Sequence, residues 1–228
     1  MILMKDATQR MQRFRWPVLG RGGLHICCLA ILFSMPAAAD EPEFGLAIEK
    51  LEHLFESDLS VFEVEATLGE ENSFVGLKVE SEFDSDAYDA SESQLYYSRS
   101  IGSGLSGLVG ARYLHSDEGD VSSAFLGLTA ETVFGIEVLM LAFVGGAYTE
   151  GRFELERRTR LSPRMELLPK FELRAYSHDV ESVAAELRLA HLTTDRLRTY
   201  VGVSWSRLVG SADDEDELTA LAGLSYEW

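Results

Sequence analysis

The stretch Ser162–Ser177 reads SPRMELLPKFELRAYS. Every odd position from Pro163 to Ala175 is apolar, while the even positions include Arg164, Glu166, Lys170, Glu172 and Arg174. A period of two over a dozen residues marks an extended strand with two unlike faces. Helical spacing also exists through Leu161, Met165, Leu168 and Ala175. That helix would hold Pro169 in its interior at a cost of about 3 kcal/mol, so the strand reading wins. Proline is not free in a strand either, because it donates nothing to the ladder. The sequence therefore predicts a bulge or a broken ladder bond beside Pro169, with Pro163 at the strand's end.

The same alternation recurs along the chain. Twelve segments read as strands: 44–53, 60–69, 73–84, 90–100, 104–115, 121–131, 134–146, 150–159, 162–177, 181–192, 197–208 and 217–228. In the third, Val75, Leu77, Val79 and Phe83 oppose Lys78, Glu80 and Glu82. In the eighth, Phe153 and Leu155 oppose Arg152, Glu154, Glu156 and Arg158. In the last, Leu218, Ala220, Ala222, Leu224, Tyr226 and Trp228 oppose Glu217, Thr219, Ser225 and Glu227. The seventh fits worst, because Leu139, Leu141 and Phe143 fall on its polar face. A plug, a packed layer inside the lumen or a shifted register would each account for that.

The connectors Gly69–Asn72, Ser100–Ser103 and Glu131–Phe134 are tight. The others carry acids: Glu56 and Asp58; Asp84, Asp86 and Asp89; Asp117, Glu118 and Asp120; Asp213 to Glu217. Tight turns on one side, longer loops on the other and an even strand count fit a bacterial outer-membrane barrel. With both termini in the periplasm, the acid-rich loops fall outside. A soluble sandwich or lipocalin-like barrel also alternates, but with its apolar face buried and, for the lipocalin, about eight strands. Segment lengths favour the membrane, since a tilted spanning strand needs about 9–11 residues. Aromatics near segment ends (Phe44, Tyr113, Tyr148, Trp205, Tyr226) suit interfacial girdles. The terminal Trp228 resembles the aromatic end that barrel-assembly machinery recognises. The expected fold is all-β: a closed antiparallel transmembrane barrel of twelve strands over 44–228, with lipid outside and a polar lumen.

Residues 1–39 read as a cleaved secretory signal. Lys5, Arg10, Arg13, Arg15 and Arg21 precede the apolar run Leu24–Phe33, and Ala37-Ala38-Ala39 matches the small-residue cleavage rule. The whole chain has a formal net charge of −18; without that segment 15 basic and 37 acidic residues remain, a net −22. Such acidity argues against a nucleic-acid partner. Cys27 and Cys28 leave with the signal, so thiolate chemistry is excluded. Of six methionines, Met140 and Met165 remain, both on the outward face.

Four stretches resemble the copper resistance protein B family: FGLAIEKLEHLFES (44–57), SESQLYYSRSIGSGLSGLVGARYLHSD (91–117), LLPKFELRAYS (167–177) and YVGVSWSRLVG (200–210). The resemblance covers the barrel from Phe44 to Trp228. It implies a twelve-stranded barrel and a role in copper tolerance or export, with periplasmic copper-handling proteins as partners. Many members carry a Met- and His-rich segment before the barrel. Here Asp40-Glu41-Pro42-Glu43, a short periplasmic segment, alone separates the expected cleavage site from the first strand. Thioether ligands suit Cu(I), so a methionine-cluster copper site is not expected.

Candidate metal ligands are His53, His115 and His178, at the loop ends of strands near acidic residues, where imidazole with carboxylate suits Cu(II). The plainer reading is solvated loop histidines. His191 falls at the opposite end, in a turn. The lumen face offers Lys78, Glu80, Glu82, Arg112, Glu137, Arg152, Glu154, Glu156, Arg158, Arg164, Glu166, Lys170, Glu172, Arg174, Glu186 and Arg188. These form either a structural cross-strand charge ladder or an ion pathway whose acid excess attracts cations. No Ser–His spacing is diagnostic, and no phosphate loop, zinc spacing or nucleotide fingerprint occurs. No enzyme is expected. The alternative to a copper role is a structural or general small-solute barrel without metal selectivity.

Overall fold

A computed structural model describes residues 42–228 apart from 85–87, 117–118, 146–147, 178 and 210–215. The expected signal segment, Asp40, Glu41, His178 and the acids Asp86, Asp117, Glu118 and Asp213–Glu215 lie outside the described residues. The strands are β1 (Glu43–Leu54), β2 (Leu59–Glu70), β3 (Ser73–Asp84), β4 (Tyr88–Gly102), β5 (Leu105–Ser116), β6 (Val121–Glu131), β7 (Ile136–Gly145), β8 (Tyr148–Arg157), β9 (Thr159–Ser162), β10 (Met165–Tyr176), β11 (Asp179–Leu192), β12 (Leu197–Leu208) and β13 (Asp216–Glu227). β8 and β9 run one after the other along the same flank of β10. They form one strand interrupted at Arg158, so twelve strands complete the circle.

All neighbours pair antiparallel, and β13 returns to β1. The Trp228 amide donates to the Leu46 carbonyl at 2.9 Å, sealing the last strand against the first. A closed sheet satisfies its backbone without an edge, which is what lipid requires. Side chains then divide by parity. Leu68, Leu77, Leu95, Leu126, Leu187, Val201 and Leu218 stand exposed on the outside. Phe44, Phe134 and Trp228 are exposed at the end holding the termini, and Phe55, Phe83 and Tyr113 at the opposite, loop end. Two aromatic belts around an apolar band match the girdled exterior of outer-membrane barrels.

Three irregularities shape the interior. The first is a bulge in β1: the register against β2 shifts between Ile48 and Lys50. Before it, Gly45 and Ala47 share the inward face with Thr67 and Glu65; after it, Lys50 and Glu52 do so with Glu63 and Val61. One extra residue changes which side chains point inward.

The second lies at Pro169. Leu167 pairs with Thr159 and Lys170 with Glu156, so the register is unbroken, but the ladder is interrupted at Leu168 and Pro169, opposite Arg158 and Arg157. Against β11 the ladder runs straight through, with Pro169 opposite Leu187. An antiparallel residue directs its N–H and C=O to one neighbour only. The missing proline N–H therefore costs pairing on the β8–β9 flank alone, as a gap without a bulge.

The third concerns β7, where Leu139, Leu141 and Phe143 do face inward. Phe143 and Leu141 pack on Phe125, with Tyr96 and Leu108 against them, as a local apolar layer within the lumen. Inward aromatics elsewhere need space from glycine. A Cβ on Gly76 would lie 2.3 Å from the Tyr96 ring, and one on Gly223 would lie 2.7 Å from the Tyr200 hydroxyl.

Candidate functional site

The lumen is crossed by ion pairs between distant strands. On the β4–β8 side, Arg112 meets Glu150 at 2.5 Å and Glu92 at 3.6 Å, and Arg152 meets Glu92 at 3.3 Å. Their side chains are at most 4% exposed. The Arg112 guanidinium lies 3.8 Å from the centre of the Phe143 ring, where the ring's π face attracts a cation. Arg112 also donates to the Ser123 hydroxyl at 3.2 Å, and Gln94 donates to Glu92. This half is dry and filled.

On the other side stand Lys50 of β1, Glu63 of β2, Lys78 of β3 and Lys170 of β10. Glu63 accepts both Lys78 at 2.5 Å and Lys50 at 3.5 Å. Lys170 meets Glu154 at 3.0 Å and Glu172 at 3.7 Å, and Glu172 also binds Arg174. Arg188 joins Glu186 at 2.5 Å and Glu52 at 3.2 Å. Towards the termini, Glu166 collects Arg198 at 3.4 Å, Arg160 at 3.7 Å and Arg158 at 4.0 Å. Arg198 also meets Glu227 at 2.5 Å.

Most of the expected lumen set takes part in these pairs. Glu137 and Glu156 line a cavity at the terminal end, and Glu80 and Glu82 line one at the loop end. Arg164 does not belong to the set. It sits exposed in the two-residue turn between β9 and β10, because Ser162 already ends the preceding strand. Sequence reading missed Lys50, Glu52, Glu63, Glu92, Glu150 and Arg198. Lys50 and Glu52 were hidden by the β1 bulge. Glu63 shares its inward face with apolar Leu59 and Val61, which blurs the alternation.

Of the candidate histidines, the described ones, His53 and His115, are not in the lumen. His53 shares the outward face with Ser60 and Ala222, and its Nδ1 lies 3.2 Å from the Ser60 hydroxyl. Asp58 is 3.7 Å from its Nε2. His115 is exposed and donates from Nδ1 to Asp120 at 2.6 Å, and the Tyr113 hydroxyl donates to the same carboxylate at 2.7 Å. These two bonds hold the Asp120 carboxyl below the usual range. Among the described residues no three His, Cys, Asp or Glu side chains are grouped to hold a metal ion. His191 lies within β11, opposite Met165 and Thr199, rather than in a turn.

A closed twelve-stranded barrel with an apolar belt and a charged interior is an outer-membrane β-barrel. Its backbone resembles solved porins. The NanC porin superposes with a TM-score of 0.55 at 8% identity, over 82% of this chain and 100% of that one. The KdgM porin does so with a TM-score of 0.53 at 11% identity, over 81% and 99%. The family model of the copper resistance protein B precursor (CopB) matches residues 44–224, and the chain belongs to that family. The copper resistance protein B of Escherichia coli is 26% identical over 161 residues, 66% of this chain and 54% of that protein. The chain thus spans about half the length of that curated relative.

Proposed function

We propose that this barrel serves copper tolerance at the outer membrane by binding copper ions or passing them through its lumen. The family match over residues 44–224 carries this reading. The acid excess of the lumen supports it, since a carboxylate-lined passage with low-dielectric walls concentrates cations. Copper is here a cargo, and the barrel is not an enzyme. Assembly proceeds through the C-terminal strand ending in Trp228, and periplasmic copper-handling proteins supply or receive the ion. The test is growth of a deletion strain on copper. Heightened copper sensitivity, restored by this chain, is the expected result; unchanged sensitivity overturns the reading.

A second reading, a general small-solute barrel without metal selectivity, is favoured by the chemistry of the donors. The lumen offers carboxylate oxygens, which suit hard cations, whereas His53 and His115 face outward and Met140 and Met165 lie on the lipid-facing parity. Bilayer conductance with and without copper separates the two. A current that copper leaves unchanged assigns the general barrel; one that copper alters assigns the copper role.

A further inference from the structure

Among the described residues, one cavity enters the lumen from each end. The one at the loop end, about 130 Å³, is lined by Glu52, Glu80, Glu82, Glu172, Glu186 and Glu217, against the cations Lys50 and Arg174. The one at the terminal end, about 440 Å³, has Glu131, Glu137, Glu154 and Glu156 on its wall and neither lysine nor arginine. Between them lie the lysine pairs. Lys50 borders the first cavity while bonding Glu63, and Lys170 reaches Glu154 on the wall of the second. Lys78 completes the set on Glu63. The three ammonium groups come from three strands, β1, β3 and β10, and Lys50 is turned inward by the β1 bulge.

We propose that Lys50, Lys78 and Lys170 form a waist that divides the lumen into two acidic vestibules and sets which ions cross. Each ammonium acts as a tethered counter-ion. A permeating cation crosses by taking its place on Glu63 or Glu154. The vestibules gather small cations and repel anions. The waist then exacts an exchange of one cation for another, which a lysine on a flexible four-carbon stem can make by swinging aside. The side chains of Lys50, Lys78 and Lys170 are 15%, 29% and 16% exposed, so water reaches them, and the buried Glu63, at 7%, keeps one lysine while the other swings aside. This inference rests on the lumen being the route of ions.

The experiment is single-channel recording of the purified full chain in planar bilayers, with potassium chloride as the probe. Wild type is expected to give a small, cation-selective conductance. Lys50→Met/Lys170→Met should raise it several-fold and shift the reversal potential further toward cations. Lys50→Arg/Lys170→Arg, which keeps the tethered charge, should stay near wild type. Heat-modifiable gel migration confirms folding, and Lys50→Met alone is the milder variant should the double one misassemble. Equal conductance of wild type and the Met variants overturns the waist, as does an anion-selective wild type. Copper is absent from the recordings, so their failure leaves the copper-tolerance reading intact. Failure of the growth test likewise leaves the conductance result standing.

Discussion

On the β4–β8 side of the lumen, Arg112, Glu92, Glu150 and Arg152 retain between 0% and 4% of their side-chain surface. In the second set, Lys50, Lys78, Lys170, Glu154 and Glu172 retain between 15% and 29%, while Glu63, the carboxylate that Lys50 and Lys78 share, retains 7%. Both halves use ion pairs, but in different media. Buried pairs next to Phe143 have no water to replace a lost partner, so each depends on the other. The lysines beside the cavities keep contact with water, and Glu63 retains a second lysine when one is lost, so breaking such a pair costs less. The dry half holds the barrel together, and the wet half leaves room for ions to move.

The largest expected effect tests that division directly. Arg112→Met strands Glu150, which is fully buried and among the described residues keeps a 3.9 Å contact with Arg152. Removing one partner of a buried pair costs about 3–5 kcal/mol. Lys50→Met makes the same change of charge in the wet half and should cost far less. Urea unfolding in lipid vesicles, followed by the fluorescence of Trp205 and Trp228, measures both. Equal losses would break the comparison.

How much of this was legible in the sequence follows from where alternation is clean. In β3, β8, β10 and β13 charged and apolar residues alternate with few exceptions, among them the inward Phe74, Leu168 and Leu221, and those strands lie within three residues of where the pattern placed them. In β4, serines at positions 91 and 93 put polar groups on the outer face as well, so Glu92 and Gln94 did not stand out. Glu150 precedes Gly151 at the start of β8 and has the look of a turn residue. The β1 bulge is invisible to any fixed period, and it alone brings Lys50 and Glu52 inside. The pairs that cross the lumen, such as Arg112 with Glu150, depend on barrel curvature, which a linear pattern does not contain. Pro169 is the opposite case, because its chemistry announced a defect whatever the register.

That proline stands on β10, the strand whose one flank meets β8 and β9 and whose other flank meets β11. The gap beside it is a seam in the sheet between β10 and the β8–β9 flank. Pro169→Val restores an N–H at an outward-facing position, where a β-branched residue also suits a strand. The regained ladder bond should stabilise the barrel by about 1 kcal/mol. Hydrogen exchange should then show a protected amide at position 169 and stronger protection near Arg157. An amide there that still exchanges freely would assign the gap to the break at Arg158 instead, and the seam would belong to β8–β9 rather than to the proline.

The smallest effect concerns the rim of the wet half. Glu56, in the loop after β1, accepts a hydrogen bond from the Thr219 hydroxyl and one from the Ala220 amide at 2.7 Å. The hydroxyl first, and the amide after it, hold its carboxyl below the usual glutamate range. A pKa lowered on folding gives stability that is fully present above the unfolded value and is lost as pH falls through the folded one. Acidification below the ordinary carboxylate range should therefore loosen the β1–β2 loop from β13. Thr219→Val removes the first of the two bonds, so the pH dependence of the unfolding midpoint should flatten in that window, with little change near neutrality. Asp120 offers the matching control on the dry half's rim, since its carboxyl is lowered by His115 and Tyr113 and not by a bond to another strand pair. His115→Ala removes one of Asp120's own bonds and should flatten the acid range by Asp120's share alone, so the Thr219→Val/His115→Ala double variant should flatten it by the sum of the two single changes. A double variant that departs from that sum couples the two rims, and the independence of the two sets then fails at the loop end even where it holds at the level of Arg112.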